Sequence, residues 1–437
     1  MANLAALPFV QLKFDKSGAI PDGVPHPLCG SGVSDLIVIS HGWHQDPDDA
    51  GEMYRKIAQH FAEQGGNARP GRSFAVVEVY WPSDQFRDDL SLEVVAALGN
   101  DPAAAAAAAG SDADASKLVR RARELGAMFG LDPDVFAAHV REAAVNTSPG
   151  DARVLVEMLR GAIGQSRDAD LLSEHGRILD QASDGWDLMQ SFLGSGADQY
   201  EPTTDGGAQA IDHDVATGAA LGIFSGPIAA VAKVLNQFAY FELKRRAGVV
   251  GTGLGSILDT ADLVDAKRIH YVGHSFGARL VTAAVAAMQK RKAYSLTLLQ
   301  GAFSHNAFGV KISGNQDGFF RSVVADGKVS QRIVVSHTWN DRAVGLLYAV
   351  ASRASGDIAK GVFEVSPTFG GSQDLFGAMG ANGPQKMKSG EVLNVTYDGQ
   401  ALLNLKAGIH SLRCDFIKDH NDIRTAPIGR LLVAASA

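Results

Sequence analysis

Short apolar runs alternate with amphipathic segments in two separate parts of the chain. In the first part, residues 35–40 and 74–81 are apolar runs of strand length, and between them Met53, Ile57 and Phe61 recur at helical spacing. The second part repeats this alternation around three further apolar runs, at residues 269–272, 294–299 and 332–336. Strands that alternate with helices pair as a parallel sheet with right-handed crossovers. We therefore predict an α/β fold, with one mostly parallel sheet flanked by helices.

Smaller elements are predicted at the margins of this pattern. Residues 9–14 alternate as one strand of a small N-terminal pair, with a turn at 15–18. Residues 392–397 and 401–405 have the pattern of a hairpin-like pair, and a terminal helix begins at about residue 426. Further helices are expected from Asp46 to the Gly65-Gly66 pair, around 238–262 and near 343–353.

The strand pattern breaks between the two parts. No convincing strand is present in residues 84–236, which contain an alanine run at 103–109 and amphipathic helical segments such as 154–163. We therefore predict a large helical insertion over 84–236. Residues 1–83 and 237–437 are then the two parts of the sheet-containing core.

Composition and charge exclude some classes of partner and site. The net charge is −8, from 40 lysine and arginine against 48 aspartate and glutamate residues, without long runs of one sign. A nucleic-acid partner would require a basic face, so none is expected. The N-terminus has no positive region before its apolar residues, which disfavours a secretory signal and favours a cytoplasmic location. Cys29 and Cys414 lack metal-ligand spacing, and two buried thiols are favoured over one disulfide.

A serine lies between two glycines where a predicted strand passes into a predicted helix. The stretch is Gly273-His-Ser275-Phe-Gly277, after the apolar run 269–272 and before a segment with apolar residues at helical spacing. In that context G-x-S-x-G is the nucleophile elbow, a turn so tight that its serine takes a strained backbone conformation. An ordinary glycine turn is the alternative, since the chain has 48 glycines. The flanking strand and helix favour Ser275 as a nucleophile.

A nucleophilic serine requires a histidine base and an acid that orients the base. With this motif the acid and then the base follow the serine along the chain, in loops at the carboxyl ends of strands. Asp341 directly follows the run 332–336 and is the predicted acid, although an aspartate there could instead cap the next helix. Asp317 and Asp326 are rivals, but neither directly follows a strong strand.

Two late histidines are candidates for the base. His420 lies in a polar loop just before the last helix, whereas His410 closely follows the strand-like residues 402–405. A catalytic imidazole has to reach over the edge of the sheet, and a loop that enters a helix is the better position for it. We predict His420 as the base; a surface histidine is the alternative for either residue.

Acyl transfer also requires two N–H donors for the developing negative charge, an oxyanion hole. One donor comes from the residue after the nucleophile, Phe276. The other should come from the loop after the first core strand, where His41-Gly42-Trp43 lies, and we assign it to Trp43. His41 itself is expected to be a hydrogen-bonded structural residue. No cluster of metal-ligand spacing is present, so neither a metal nor a cofactor is expected.

With the 41–43 loop, Ser275, Asp341 and His420 in this order, the chain resembles the α/β-hydrolase superfamily, and within it the serine esterases and lipases. The resemblance covers the core segments at roughly 35–83 and 236–437. It implies hydrolysis of carboxylic esters through an acyl-enzyme, without a cofactor, in an active site under an inserted lid. The implied substrate is a small-molecule ester or a lipid. Two alternatives stay open: acyl transfer or amide hydrolysis by the same triad, and a non-catalytic interaction scaffold.

The uncharged stretch 215–232 lies inside the insertion. Its length reaches the lower bound for a membrane span, but its glycines and Pro227 dilute the apolar content. One reading is a buried helix pair broken at Gly226-Pro227, because proline ends a helix. The other is a mobile lid whose apolar side covers Ser275 in water and faces lipid or an acyl chain when open. On the second reading the insertion contacts a lipid interface peripherally.

Overall fold

A computed structural model of the 437-residue chain describes most of the predicted core. The described residues are 2–4, 7–25, 32–43, 46–83, 112–146, 148–163, 184–193, 227–260, 266–312, 314–341, 344, 371–372 and 377–437. The chain divides into two compact units. The first comprises Met1–Asp84, Leu243–Val350 and Thr368–Ala437, and the second comprises Gln85–Glu242 and Ala351–Pro367.

The first unit is built on one nine-stranded sheet. Its strands are β1 Ala2–Leu4, β2 Leu7–Lys13, β3 Asp35–Ser40, β4 Phe74–Tyr80, β5 Arg268–His274, β6 Ala293–Leu299, β7 Val329–His337, β8 Val392–Thr396 and β9 Gly408–Arg413. The spatial order is β1-β2-β4-β3-β5-β6-β7-β9-β8. All neighbours pair in parallel except β1 and β2, which are antiparallel. The predicted α/β fold with a mostly parallel sheet is confirmed.

The described helices are α1 Pro47–Glu63, α2 Asp112–Phe129, α3 Pro133–Asn146, α4 Pro149–Ile163, α5 Gly185–Leu193, α6 Pro227–Leu258, α7 Phe276–Ala287, α8 Arg321–Ala325, α9 Met379–Asn382 and α10 Ala426–Ala435. Helices α2 to α5 belong to the second unit, the boundary between the units falls inside α6, and the others belong to the first unit with the sheet. As predicted, Asp46 caps α1: its carboxylate accepts hydrogen bonds from the N–H groups of Asp48 and Asp49. Helices α1 and α10 pack together on the sheet and share one apolar core with strands from β3 to β9.

The strand predicted at 9–14 is present as β2, and its antiparallel partner β1 precedes it in the chain. The turn predicted at 15–18 is also present, and the Asp15 carboxylate accepts hydrogen bonds from the N–H groups of Ser17 and Ala19. Gly18 supplies a positive φ of 78° there. The next strand of the sheet after this turn is β3.

The predicted hairpin at 392–405 is wrong. Its first strand exists as β8, but the second strand is β9, Gly408–Arg413, and the two run parallel. The segment 397–407 is the crossover that parallel pairing requires. Exposed Leu402 belongs to that crossover, so an apolar run alone did not identify the strand.

The described residues of the predicted insertion contain helices and no strand. The first segment of the second unit ends at Glu242, inside α6, whereas the sequence placed the boundary after residue 236. Residues 215–226 of the candidate lid and most of the helix predicted near 343–353 lie outside the described residues. None of the described helices has the length and apolar composition needed to cross a membrane.

Only one of the two cysteines, Cys414, lies in the part of the chain that the structure describes. Cys414, directly after β9, is a free thiol, and burial raises its pKa to about 12. Cys29 lies outside the described residues.

At the amino ends of the central strands, Asp35 is the centre of a buried charge network. Asp35 and Arg268 begin β3 and β5 and are partners in the sheet. The Asp35 carboxylate accepts hydrogen bonds from Arg72, from Arg268 at 2.8 and 3.0 Å and from His270 Nε2 at 2.9 Å. Burial alone would raise the pKa of Asp35, but these partners and the Ser34 hydroxyl outweigh it and hold the pKa far below its usual range.

Asp35→Asn should therefore destabilise the protein by about 3 kcal/mol at pH 7, because two guanidinium groups lose their carboxylate partner. The carboxylate contributes this stability above its unfolded pKa of about 4, and the contribution is lost as pH falls below that value. Urea denaturation at pH 7 and at lower pH measures the difference between wild type and variant, which should shrink with acidity. Asp22→Asn, at an exposed position, is the control. A difference that does not change with pH would contradict the charge-network interpretation.

Candidate active site

Ser275 occupies the turn between β5 and α7, as the sequence predicts for the candidate nucleophile. Its backbone has φ 57° and ψ −124°, a region that residues other than glycine rarely adopt. Such strain persists only where the surrounding structure enforces it, and it concentrates at functional sites. The side chain is nearly buried, with 5% of the residue exposed.

The two glycines of the motif have steric reasons to be glycine. A Cβ on Gly273 would overlap the Gly277 carbonyl oxygen, where the end of β5 meets the start of α7. A Cβ on Gly277 would overlap the carbonyl oxygens of Ser40 and His41. The motif therefore lets strand, helix and the loop after β3 approach one another more closely than side chains would allow.

Backbone hydrogen bonds from β6 and the loop after it hold the strained turn in place. The Ser275 N–H donates to the Leu299 carbonyl oxygen at 3.1 Å. The Ser275 carbonyl oxygen accepts from the N–H groups of Ala278 and Ala302, each at 3.1 Å. Backbone hydrogen bonds thus fix both the N–H group and the carbonyl group of Ser275.

The structure brings the predicted acid and base together. His420 Nδ1 lies 2.7 Å from Asp341 Oδ2, across 79 residues of sequence. A carboxylate can only accept, so Nδ1 carries the proton and Nε2 of a neutral His420 is left as the acceptor. Asp341 is fully buried, whereas 20% of the His420 side chain is exposed. This orientation is the one a general base requires of its acid partner.

Asp341 is held as a carboxylate. Burial alone raises the pKa of Asp341, but the charge and hydrogen bond of His420 lower it, as do hydrogen bonds from Gln300 and the Val344 N–H. The sum lies below the ordinary value, so the group is ionised at neutral pH.

The other carboxylate oxygen of Asp341 makes the contact expected of a helix cap, although the helix itself falls almost entirely outside the described residues. Oδ1 accepts from the Val344 N–H at 3.2 Å, three residues on, as a capping aspartate does. Since Oδ2 faces His420, the contact with the Val344 N–H and the orientation of the histidine are compatible. The rivals lie elsewhere: Asp317 is exposed and accepts from the Lys311 N–H, and Asp326 ends α8, before β7 begins.

The loops that carry the acid and the histidine are tied to each other. Asn340 Nδ2 donates to the carbonyl oxygens of Asp415 and Ile417, both at 3.0 Å. The Thr338 hydroxyl donates to the Asp415 carboxylate at 3.0 Å. These bonds fix the segment after β9 against the segment after β7, so the 2.7 Å contact is supported on both sides.

His410, the rival base, lies within β9 and is buried. Its Nε2 donates to the Lys406 carbonyl oxygen at 2.8 Å. The residue occupies the first half of the strand, whereas His420 follows the strand at its carboxyl end. His420 therefore lies in the loop where the base was predicted, whereas His410 lies within a strand.

Trp43 and Phe276, the two residues predicted to supply the oxyanion donors, are neighbours in space. Gly42 lies directly against the nucleophile, since a Cβ added to it would be 2.5 Å from Ser275 Cβ and 3.0 Å from Ser275 Oγ. The Trp43 and Phe276 rings pack with centroids 6.0 Å apart. A glycine at position 42 is therefore required for the loop to approach the serine.

His41 is a structural residue, as expected. Its Nδ1 lies 2.9 Å from the Gly42 carbonyl oxygen, and its Nε2 accepts from the Trp81 N–H at 3.5 Å. Burial lowers the pKa of His41 to about 4, so the ring is neutral at pH 7. The Tyr54 hydroxyl accepts from the His41 N–H at 3.0 Å, and this hydrogen bond ties the loop after β3 to α1.

Gln300 is a part of the site that the sequence argument missed. It directly follows β6, is fully buried and has a left-handed φ of 46°. Its amide donates to Asp341 Oδ2 at 3.1 Å and accepts from the Ser336 hydroxyl at 3.0 Å. The available signal was its place immediately after an apolar strand, the criterion that selected Asp341.

Taken together, the described residues place a strained serine, a carboxylate–histidine pair and a glycine-bearing loop at the carboxyl edge of β3, β5, β7 and β9. This arrangement contains the groups needed for acyl transfer through a covalent intermediate. No group of three or more histidine, cysteine, aspartate or glutamate side chains among the described residues could hold a metal ion. Comparisons with protein-family models, with curated proteins and with solved structures find no match to this chain.

Proposed function

We propose that the protein is a serine hydrolase that cleaves carboxylic esters through an acyl-enzyme, with Ser275, Asp341 and His420 as the triad. The observation that carries this proposal is the 2.7 Å hydrogen bond between His420 Nδ1 and buried Asp341 Oδ2. It presents Nε2 as a base in the same structure in which Ser275 takes the strained elbow conformation. The parallel sheet and the order of these residues along the chain support membership of the α/β-hydrolase superfamily.

The proposed mechanism follows from these roles. His420 Nε2 takes the proton of Ser275 Oγ as the oxygen attacks the ester carbonyl, and the imidazolium that forms is stabilised by Asp341. The N–H groups of Phe276 and Trp43 donate to the oxyanion of the tetrahedral intermediate. His420 then protonates the leaving alcohol. In the second half, the same base activates water, which releases the acid and restores Ser275.

The proposed substrate class is an ester with an apolar acyl group, lipids included. It rests on the resemblance to esterases and lipases and on the helical insertion, where a lid would lie. Water is the proposed acceptor, because hydrolysis needs no group beyond those named. Product analysis with and without added alcohol or amine distinguishes hydrolysis from acyl transfer.

A chromogenic short-chain ester tests the proposal most directly. We expect a burst of released alcohol equal to one equivalent of enzyme whenever deacylation is slower than acylation, followed by steady turnover. Intact-mass measurement during the burst should show one acyl group on the protein. A panel of esters that differ in chain length and head group, all unreactive, would contradict the proposal.

Asp341→Asn should lower kcat by about 10⁴-fold while the protein stays folded. An asparagine amide in this position would donate towards Nδ1 and hold His420 in the tautomer that cannot accept the serine proton. Steady-state kinetics on the chromogenic ester measure the effect. Asp326→Asn, the rival carboxylate at the end of α8, is the matched control and should keep wild-type kcat. Loss of activity in the control but not in Asp341→Asn would move the acid to the other position.

A further inference from the structure

His274 stands between the elbow glycine and the nucleophile, and the sequence argument gave it no role. Its Nε2 lies 2.8 Å from the backbone carbonyl oxygen of His420, 146 residues away in sequence. The residue is buried, with 2% exposed. The side chain directly before the candidate nucleophile is therefore bonded to the main chain of the candidate base.

The protonation of His274 follows from its two nitrogens. A carbonyl oxygen can only accept, so Nε2 carries the proton and donates. Nδ1 is buried and has no hydrogen-bond partner among the described residues. Burial, and secondly the charge of His420, lower the pKa of His274 to about 3. At neutral pH the ring is neutral and adds no positive charge beside the base.

The two imidazole rings also pack together. Their centroids are 4.7 Å apart and their planes are tilted by 39°. His420 is thus held in three ways: its side chain by Asp341, its carbonyl oxygen by His274, and its ring face by the His274 ring.

From these contacts we infer that His274 is a positioning residue that fixes the backbone of His420 relative to Ser275. His274 and Ser275 are joined by a peptide bond, so a hydrogen bond from residue 274 to residue 420 links nucleophile and base directly. The hydrogen bond from His420 to Asp341 ties His420 to a separate loop, the one after β7. It therefore cannot by itself set the distance between His420 and Ser275. The inference rests on the proposed function of the site.

Two substitutions separate the hydrogen bond from simple packing. In His274→Gln, the amide Nε2 can donate to the His420 carbonyl oxygen at a similar reach from the backbone. In His274→Leu, the volume is kept approximately and the donor is lost. We expect His274→Leu to lower kcat about 100-fold, the cost of a base displaced by roughly 1 Å, with KM nearly unchanged. His274→Gln should recover most of that loss.

His410→Leu is the matched control. His410 is also buried, also donates from Nε2 to a backbone carbonyl oxygen at 2.8 Å, and also has a buried Nδ1 without a partner among the described residues. Its removal should cost comparable stability, measured as thermal unfolding temperature, and leave kcat unchanged.

The outcomes distinguish this inference from the proposed function. If wild type hydrolyses the chromogenic ester and is labelled by a fluorophosphonate probe, the proposed function stands whatever the His274 variants do. Wild-type kcat in His274→Leu then overturns the positioning role alone. So does a folded His274→Gln that is as slow as His274→Leu, or an equal loss of kcat in His410→Leu. A wild type without turnover or labelling overturns the proposed function, and the inference with it.

Discussion

Replacing Ser275 with alanine should abolish ester hydrolysis and leave the fold intact. The reaction loses its covalent route, and in known serine hydrolases loss of the nucleophile lowers kcat by a factor on the order of 10⁶. The methyl group of alanine fits where the serine side chain is buried. The strained φ of 57° is unfavourable for alanine and serine alike, so the substitution adds no new backbone cost. Kinetics on the chromogenic ester and circular dichroism measure activity and fold.

A fluorophosphonate probe provides the second measurement, because it reacts with an activated serine and forms a stable adduct. Wild type should gain one adduct per chain, and Ser275→Ala none. Ser295→Ala is the control: Ser295 is a buried serine in β6 whose hydroxyl lies 2.8 Å from His270 Nδ1. It should be labelled like wild type. Turnover or labelling that persists in Ser275→Ala would remove Ser275 from the mechanism.

Local sequence carries enough information for the elbow. The residues that decide it, Gly273, Ser275 and Gly277, lie within five positions. The steric reason for Gly273 is the adjoining helix, whereas Gly277 is required by the approach of Ser40 and His41. The loop after β3 is also predictable, since Gly42 lies two residues after a short apolar strand. The position of each turn is therefore predictable from local sequence, whereas the close approach of Gly42 to Ser275 is seen only in the fold.

Some contacts between distant residues could not be predicted from the sequence. Gln300 and Asp341 are 41 residues apart, and His274 and His420 are 146 apart, so no local pattern joins either pair. Both Gln300 and His274 are polar residues at strand ends, a position that many residues share without any role in a site. Their importance appears only when the neighbouring strand ends are in place.

The prediction of a hairpin at 392–405 was wrong for a related reason. Apolar alternation indicates a strand but does not indicate its direction or partner. Residues 401–405 follow β8 closely, which favoured a hairpin, yet they are part of the crossover that leads to β9. The second unit was predictable only as helical, because helical periodicity says which face is apolar and not what it packs against.

His420→Ala should lower kcat as severely as Ser275→Ala, because Ser275 then has no base to accept its proton. The two effects should not add: the double variant should be no slower than either single one, since the residues act as a unit. Asp341 is fully buried, so removal of the imidazole also leaves a carboxylate with Gln300 and the Val344 N–H as its remaining donors. The pKa of Asp341 should rise in the variant as the lowering effect of His420 is lost.

His410→Ala tests whether the base is His420, in the loop, or His410, in the strand. The His410 imidazole donates to the Lys406 carbonyl oxygen from within β9, so its loss should reduce stability by about 1 kcal/mol or somewhat more and leave kcat near wild type. Both variants are assayed on the chromogenic ester, with thermal unfolding as the measure of stability. A large loss of kcat in His410→Ala with full activity in His420→Ala would place the base in the strand and not in the loop. The 2.7 Å bond to Asp341 would then be a structural contact, because a hydrogen bond to the acid orients a base only if that base takes the serine proton.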